Sequence, residues 1–577
     1  MPPGVQQYAP QVIIAPQQYA PPQYSAPALA SQKYEAAQPI AAAEPVMKKA
    51  GSAPMAKPSA NMYKSIGVAM VGAAMFGLDQ GNFGNVQTFP GFVDEWCVGR
   101  YDTNATCPGS NVSSTDTIVS RDFAALFQPA VESRDVTYAA VGMACPRGAE
   151  PDTHETNVAW EDGFVLWGAT LITFGAAAGA LALGPLLTNR FGRRPCICAG
   201  GGICFVGCLL ASYLAFGSVP MFFVGRFITG FGVGVSCFAL PLYNAEISTP
   251  DLRGTTGSLF QLNVVVGCFI SCLITLFNHD WKFGVLLPGL AGAFLMIAAP
   301  FIPESPRFVM EKHGYEAGKM ELELIRSGDV TEEAQEMMRS IEEERGVQQV
   351  SLLGLCKEAN LRKRVIIACT LVACQQATGV NAFLGYAGTI FENVGIEDPL
   401  LFNTIFNSVM IFGCIAGLLL VDSKYGGRKK QLLWASAVMG PPLVLAGICL
   451  QTDEKSEWSG PIVMACVCIY GVGFQFAWGT IPWIYPAEIF SMSEKENAVS
   501  LAVFVNYVNN AVVIAITPLL MHWSVHGTMY FFGAANVACG LFVLTFIKET
   551  KGVSLEDAPG LFGAPALEGG SSEDDYE

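Results

Sequence analysis

Apolar positions along this chain fall in long unbroken blocks, not in the alternation of a strand or the three-to-four spacing of a surface helix. Twelve blocks are long enough to cross ~30 Å of hydrocarbon as helices. They cover about 65–86, 163–187, 196–217, 219–245, 255–277, 282–302, 364–391, 400–421, 431–450, 460–487, 498–520 and 526–547. The pattern predicts an all-α membrane protein with twelve transmembrane helices. The seventh and tenth blocks are long enough to be tilted or broken. Polar sequence separates the blocks unevenly, with a loop at about 87–162, a charged segment at 303–363 and polar ends at 1–60 and 549–577.

Composition agrees. The residues AVILMFWYC make up 51% of the chain and charged residues only 14%, with 60 glycines, a balance far from that of a soluble domain. The net charge of −16 comes largely from loops and from the tail SSEDDYE, so it carries no nucleic-acid signal. Residues 1–60 repeat Pro, Gln, Ala and Tyr, as in APQQYAPPQY, and are expected to be a disordered tail. No charged n-region leads into a short apolar stretch, so the first block is expected to serve as the anchor.

Topology follows from the loops. The segment 87–162 holds the sequons at Asn104 and Asn111 together with Cys97, Cys107 and Cys145, which suits an extracellular, glycosylated face. Arg190, Arg193 and Arg194 follow the second block, and Lys424, Arg428, Lys429 and Lys430 follow the eighth. With the large loop outside, both basic clusters and both termini fall in the cytoplasm, as the positive-inside rule expects. The run EEAQEMMRSIEEER within 303–363 is charged at helical spacing and predicts short cytoplasmic helices.

The chain repeats itself. LYNAEIS (242–248) recurs as IYPAEIF (484–490) at an offset of 242, and RFGRR and KYGGRKK lie about 234 apart. Two parallel six-helix halves, 61–302 and 364–548, are expected about a pseudo-two-fold axis, the plan of a transporter.

Few residues in the blocks carry chemistry. Asp79, in FGLDQGN, is a carboxylate inside oil and needs either a partner or a proton. The nearest cation within a block is Arg226, itself expensive to bury, and two such charges in neighbouring spans argue for a pair. Amides recur in the blocks at Gln261, Gln375, Gln376, Asn381, Asn506 and Asn510, beside Trp478 and Trp483. Amides donate and accept together, as sugar hydroxyls require, and an aromatic ring suits a sugar's C–H face. Gln375, Gln376 and Asn381 share one cavity only if the helix unwinds, which Gly379 permits. Interhelical hydrogen bonding is the other use for such amides. The cysteine pairs Cys204/Cys208 and Cys268/Cys272 lack His or carboxylate company, and His522/His526 lack a third ligand, so no metal is expected. Neither GxxxxGK[ST] nor a nucleophile–base constellation is present, so no enzyme is expected.

Together these stretches resemble the sugar porters of the major facilitator superfamily over about 65–557. The match is carried by NRFGRR (189–194), GRFITGFGVG (225–234), PLYNAEISTPDLRG (241–254), PESPRF (303–308), QQATGVN (375–381), WGTIPW (478–483) and ETKG (549–552). The resemblance implies the major facilitator fold, two six-helix bundles with a short cytoplasmic helical segment between them. It implies a secondary transporter in the plasma membrane importing a monosaccharide, a hexose such as glucose, by proton symport and alternating access. The rivals are a facilitated hexose or polyol carrier and a non-transporting sugar sensor. The proton is the only coupling partner implied; no cofactor and no obligate protein partner is indicated.

Residue by residue, the resemblance implies that Asp79 and Arg226 couple the proton. It places Gln261, Gln375, Gln376, Asn381, Trp478, Trp483, Asn506 and Asn510 at the sugar. Arg193, Glu246, Arg253, Glu304, Arg307, Arg428 and Glu488 would form a cytoplasmic network between the bundles. In plant-type members a loop cysteine anchors a lid, which implies a bond from Cys449 to Cys97, Cys107 or Cys145; one bond within the loop plus free thiols is the alternative. The chain departs from the family pattern at Pro185, at Asp422–Ser423, at Gly385-Tyr386-Ala387-Gly388, at Met410 or Ile411 (with Asn407 a turn away), at Thr480 and at Lys495–Glu496.

Overall fold

Long apolar helices dominate the computed structural model, which describes residues 57–96, 154–249, 252–345, 350–352, 354–393, 398–421, 423–451, 458–551, 553 and 558–563. Eleven of these helices are long and apolar enough to cross a membrane. They are α2 (Leu166–Phe191), α3 (Arg193–Ala211), α4 (Val219–Ile247), α5 (Thr255–Phe277), α6 (Trp281–Phe301), α7 (Ala359–Tyr386), α8 (Leu400–Val421), α9 (Arg428–Gln451), α10 (Ser459–Ile489), α11 (Glu494–Met521) and α12 (Val525–Phe546). The first expected span is α1 (Ala60–Gln80), whose apolar run is bracketed by Lys64 and Asp79. Eleven helices, not twelve, therefore qualify by length and composition, because polar residues at both ends dilute α1.

The packing repeats with a shift of six helices. In the first half α3 lies on α4 and α6, α2 on α4, and α1 on α5; in the second α9 lies on α10 and α12, α8 on α10, and α7 on α11. Two further contacts, α5 with α8 and α2 with α11, join the halves and exchange under the same shift. Small residues set the close approaches, since tight helix contact in lipid depends on backbones meeting. Gly77 of α1 and Gly81, which caps it, meet the backbone of Val264 and Cys268 on α5, leaving no room for a Cβ. Between the halves come three short helices, Pro306–His313, Tyr315–Ile325 and Thr331–Arg345. Arg326 ties this linker to the first half by donating to the Ile247 carbonyl at 2.9 Å, and within the linker it pairs with Glu333 at 2.9 Å. Strand Lys57–Pro58 pairs antiparallel with Arg326–Ser327.

The end that bears the basic loops is clamped by a duplicated set of bonds. In the first half Arg193 pairs with Glu246 at 2.8 Å, Tyr243 donates to the Pro303 carbonyl at 2.7 Å, and Glu304 accepts the backbone N–H of Arg193 at 3.0 Å. In the second half Arg428 pairs with Glu488 at 2.6 Å, Tyr485 donates to the Lys548 carbonyl at 3.1 Å, and Glu549 accepts the Arg428 N–H at 2.8 Å. The two carboxylates meet the N-termini of α3 and α9, where helix dipoles favour negative charge. Burial pushes the Glu304 carboxyl above its ordinary value, against the pull of the N–H groups of Ser305, Arg194 and Arg193. Thr550 and Lys551 of ETKG bond Glu488 and the Ser423 carbonyl, both at 2.6 Å.

Bonds at this end also cross between the halves. Arg193 reaches Glu496 on α11 at 3.2 Å, and one turn later Ser500 donates to the Ala180 carbonyl of α2 at 3.0 Å. That carbonyl is released from the α-helical ladder by the π-helical turn Gly179–Leu183. Glu496→Gln weakens the crossing pair while Arg193 keeps Glu246. We expect it to speed alkylation of Cys237, which lines a cavity under this end, by roughly 2–10-fold as the closed arrangement loses a pair worth about 1 kcal/mol. Peptide-mapped maleimide labelling checks this, and an unchanged rate counts against a latch at Glu496.

Candidate functional site

Asp79 ends α1 one residue short of its terminus and is buried with Arg226 of α4. The carboxylate accepts from the guanidinium at 3.1 Å. Arg226 also donates to the Gly168 carbonyl at 2.9 Å and lies 4.4 Å over the Phe83 ring. Three different partners thus hold the cation, which a buried arginine in a membrane requires. The pair faces a cavity of about 680 Å³, counting the solvent at its mouth, whose walls include Gln80, Thr173, Asn381, Tyr386 and Asn510.

A second cavity adjoins it and is lined by amides. Its walls include Gln261, Gln375, Gln376, Asn381, Gln475, Asn506 and Trp483. The break in α7 makes this convergence possible. Gly379 has φ +97°, in the left-handed region, and a Cβ there would lie 2.5 Å from the Phe532 ring. The chain turns at 378–379, so Gln375 and Gln376 before the break and Asn381 after it reach one space. Gln376 accepts from Asn381 and donates to Asn506 at 3.0 Å; Asn506 donates to Gln375 at 2.7 Å; Gln261 donates to Gln475 at 3.1 Å. Gln80, the neighbour of Asp79, donates to Asn381 at 3.4 Å, so one residue links the two cavities. Trp483 stands between the amide cavity and the cavity under the basic end, touching Tyr507 edge-on at 6.5 Å between centroids.

Several expected residues lie elsewhere. Trp478 is wholly buried, and its indole N–H donates to Ser436 at 3.0 Å on the α9 side; only its carbonyl serves the site, accepting from Gln375 at 2.7 Å. Both Trp478 and Gln475 lie in the π-helical turn Phe474–Trp478, and of the two only the Gln475 side chain faces the amide cavity. Asn510 lines the Asp79 cavity and Asn506 the amide cavity. Met410 fills wall where an asparagine is usual, while Asn407 bonds Asn403 and Cys272 outside the cavity. Arg307 sits in helix Pro306–His313. The side chain of Arg253 lies outside the described residues, as do Cys97, Cys107, Cys145, Asn104 and Asn111; the lid bond from Cys449 and the glycosylation sites therefore fall beyond what is described. Among the described residues no cluster suits a metal ion.

Sequence reasoning missed Gln80, Gln475 and Glu496. The first two were visible as amides within apolar runs. It also missed the far end, where Asn403 donates to Asn85 at 2.8 Å and Gln87 to the Gly385 carbonyl at 3.3 Å, both between halves.

Comparison with known proteins gives the family and the fold. Residues 65–562 match the profile of the family described as Sugar (and other) transporter. Sugar transport protein 8 of Arabidopsis thaliana is 30% identical over 417 residues, covering 70% of this chain and 81% of that protein. The rabbit (Oryctolagus cuniculus) solute carrier family 2, facilitated glucose transporter member 3, is 31% identical over 425 residues, covering 70% and 83%. Among solved structures, the proton:xylose symporter XylE of E. coli, bound to 6-bromo-6-deoxy-D-glucose, superposes with a TM-score of 0.64 at 22% identity, covering 87% of this chain and 99% of that one. That likeness gives the fold, a major facilitator arrangement of two helical bundles. These relatives are transporters rather than enzymes. The profile match spans most of the chain, so this protein belongs to the Sugar (and other) transporter family.

Proposed function

We propose that this protein carries a monosaccharide, a hexose by preference, across its membrane together with a proton. The observation that carries the reading is the adjacency of two sites. A buried carboxylate–guanidinium pair, Asp79–Arg226, opens on a cavity that shares Gln80 and Asn381 with a cluster of amides. In the proposed cycle, the amides exchange their mutual hydrogen bonds for bonds to sugar hydroxyls, so no buried polar group is left bare. Protonation of Asp79 removes its charge and loosens Arg226, which retains the Gly168 carbonyl and the Phe83 ring. The halves then rock, breaking Arg193–Glu496 and Ser500–Ala180 at the basic end or Asn85–Asn403 at the other. The basic end is assigned to the cytoplasm and the protein to the plasma membrane on the positive-inside rule.

A facilitated carrier uses the same amides and keeps Asp79–Arg226 as a fixed pair. Uptake of labelled glucose into proteoliposomes separates the two. The symport reading expects accumulation above the external concentration when an inward proton gradient is imposed, and its collapse on adding a protonophore. Equal uptake with and without the gradient makes the protein a facilitated carrier; binding without any uptake makes it a sensor.

A further inference from the structure

The break in α7 leaves the Thr378 carbonyl without its helical partner, and two side chains from other helices take it up. In a continuous helix the Thr378 carbonyl accepts the N–H of Ala382. Here that N–H turns to the Gly379 carbonyl at 3.0 Å, as does the N–H of Phe383 at 3.2 Å. The freed Thr378 carbonyl instead accepts the Tyr470 hydroxyl of α10 at 2.9 Å and the Asn536 amide of α12 at 3.2 Å. Thr378, Tyr470 and Asn536 are all fully buried, and a bare carbonyl in such a place costs several kcal/mol. The hydroxyl of Thr378 is spent on the Gln375 carbonyl at 2.7 Å, closing the preceding turn.

Rings brace the same point. Phe532, one turn before Asn536 on α12, covers the face of Gly379, and Phe383, just after the break, lies 4.8 Å from Tyr470 and 5.8 Å from Phe532 between centroids. Tyr470, Phe532 and Asn536 line neither cavity. What they hold is the angle between the segment carrying Gln375 and Gln376 and the segment carrying Asn381.

We propose that the Thr378 carbonyl is the pivot of α7, and that Tyr470 and Asn536 are positioning residues which set the angle of its second half and thereby the spacing of the sugar-binding amides. The bond pattern suits a pivot: two side-chain donors tolerate rotation of a carbonyl that a helical N–H would lock. The same angle decides whether Gly385 stays under Gln87 at the end opposite the basic loops. The pivot deepens the proposed sugar reading and rests on it only for the affinity of the amide cavity.

The test uses Tyr470→Phe, Asn536→Ala and the double variant of the full-length chain. In hydrogen–deuterium exchange, the double variant is expected to exchange faster over 380–393 than wild type, with 359–377 unchanged. Glucose binding by calorimetry is expected to weaken about 3- to 10-fold in each single variant and more than 10-fold in the double, as hydrogen bonds to one carbonyl are lost. Asn536→Gln, which keeps an amide, is expected to recover part of that loss. If the double variant does not fold, Tyr470→Phe alone carries the exchange measurement. Exchange rising equally on both sides of residue 378 overturns the pivot in favour of general loosening, and so does wild-type exchange with wild-type affinity. A wild-type protein that binds no monosaccharide sinks the sugar reading, while the exchange pattern still decides the pivot.

Discussion

Asp79→Asn is expected to abolish gradient-driven sugar accumulation while sparing sugar exchange across the membrane. Asparagine keeps the size of the side chain and an oxygen to accept from Arg226, so the 3.1 Å contact can survive in form. What it cannot do is bind and release a proton. In proteoliposomes the ratio of internal to external sugar should fall to unity under an inward proton gradient, and counterflow of labelled against unlabelled sugar should persist at a reduced rate. The reduction has a physical source, since removing one partner of a buried pair leaves the other charge uncompensated at about 3–5 kcal/mol. Arg226 is partly insured by the Gly168 carbonyl and the Phe83 ring, which argues for folding of the variant. Accumulation by Asp79→Asn equal to wild type would sink the coupling role and leave the pair a structural one.

The second large effect is at Asn506. This one side chain donates to Gln375 at 2.7 Å and to the Val372 carbonyl at 3.3 Å, and accepts from Gln376 at 3.0 Å. It is the point through which both α7 glutamines are oriented from the opposite wall. Asn506→Ala leaves two buried glutamine amides short of a partner, at about 1–3 kcal/mol each. The apparent affinity for sugar should drop roughly 10–100-fold, read as KM for uptake, because the same glutamines must be aimed correctly to meet hydroxyls. Thermal stability in detergent should fall only slightly, since water reaching the cavity can serve the orphaned groups. A large loss of Tm with unchanged KM would make Asn506 a packing residue and leave the amide cavity without its proposed role.

The fold was legible because its signals are one-dimensional. Apolar blocks of span length, basic loops and a repeat of Tyr-x-Ala-Glu-Ile survive in any reading of the chain. The Asp79–Arg226 pair was legible for a related reason: two charges in oil have few ways to be tolerated. The bend at Gly379 was visible from the need to bring residues 376 and 381 together. Trp478 was expected at the site from its residue type and the resemblance, and neither encodes that its indole turns toward Ser436 from within the π-helical turn Phe474–Trp478. Gln475, in the same turn, was visible in the sequence as an amide in an apolar run, but its contact with Gln261 of the other half was not. Glu496 was seen only as a departure from a pattern, since its partner Arg193 lies in the other half of the chain. Cross-half partners of this kind depend on how two bundles meet, and no local spacing encodes that.

Gln80 stands at the junction of the two cavities. It touches Asn381 while its neighbour in the chain, Asp79, holds Arg226, so the two sites are separated by a single peptide bond on one rigid helix. Thermodynamic linkage is then strict: whatever factor a proton on Asp79 adds to sugar affinity, sugar adds to proton affinity. Coupling in the proposed cycle is thus a property of the resting, symmetric solution as much as of the energised membrane. It is written into how sugar affinity varies with pH at equilibrium, where no gradient exists at all.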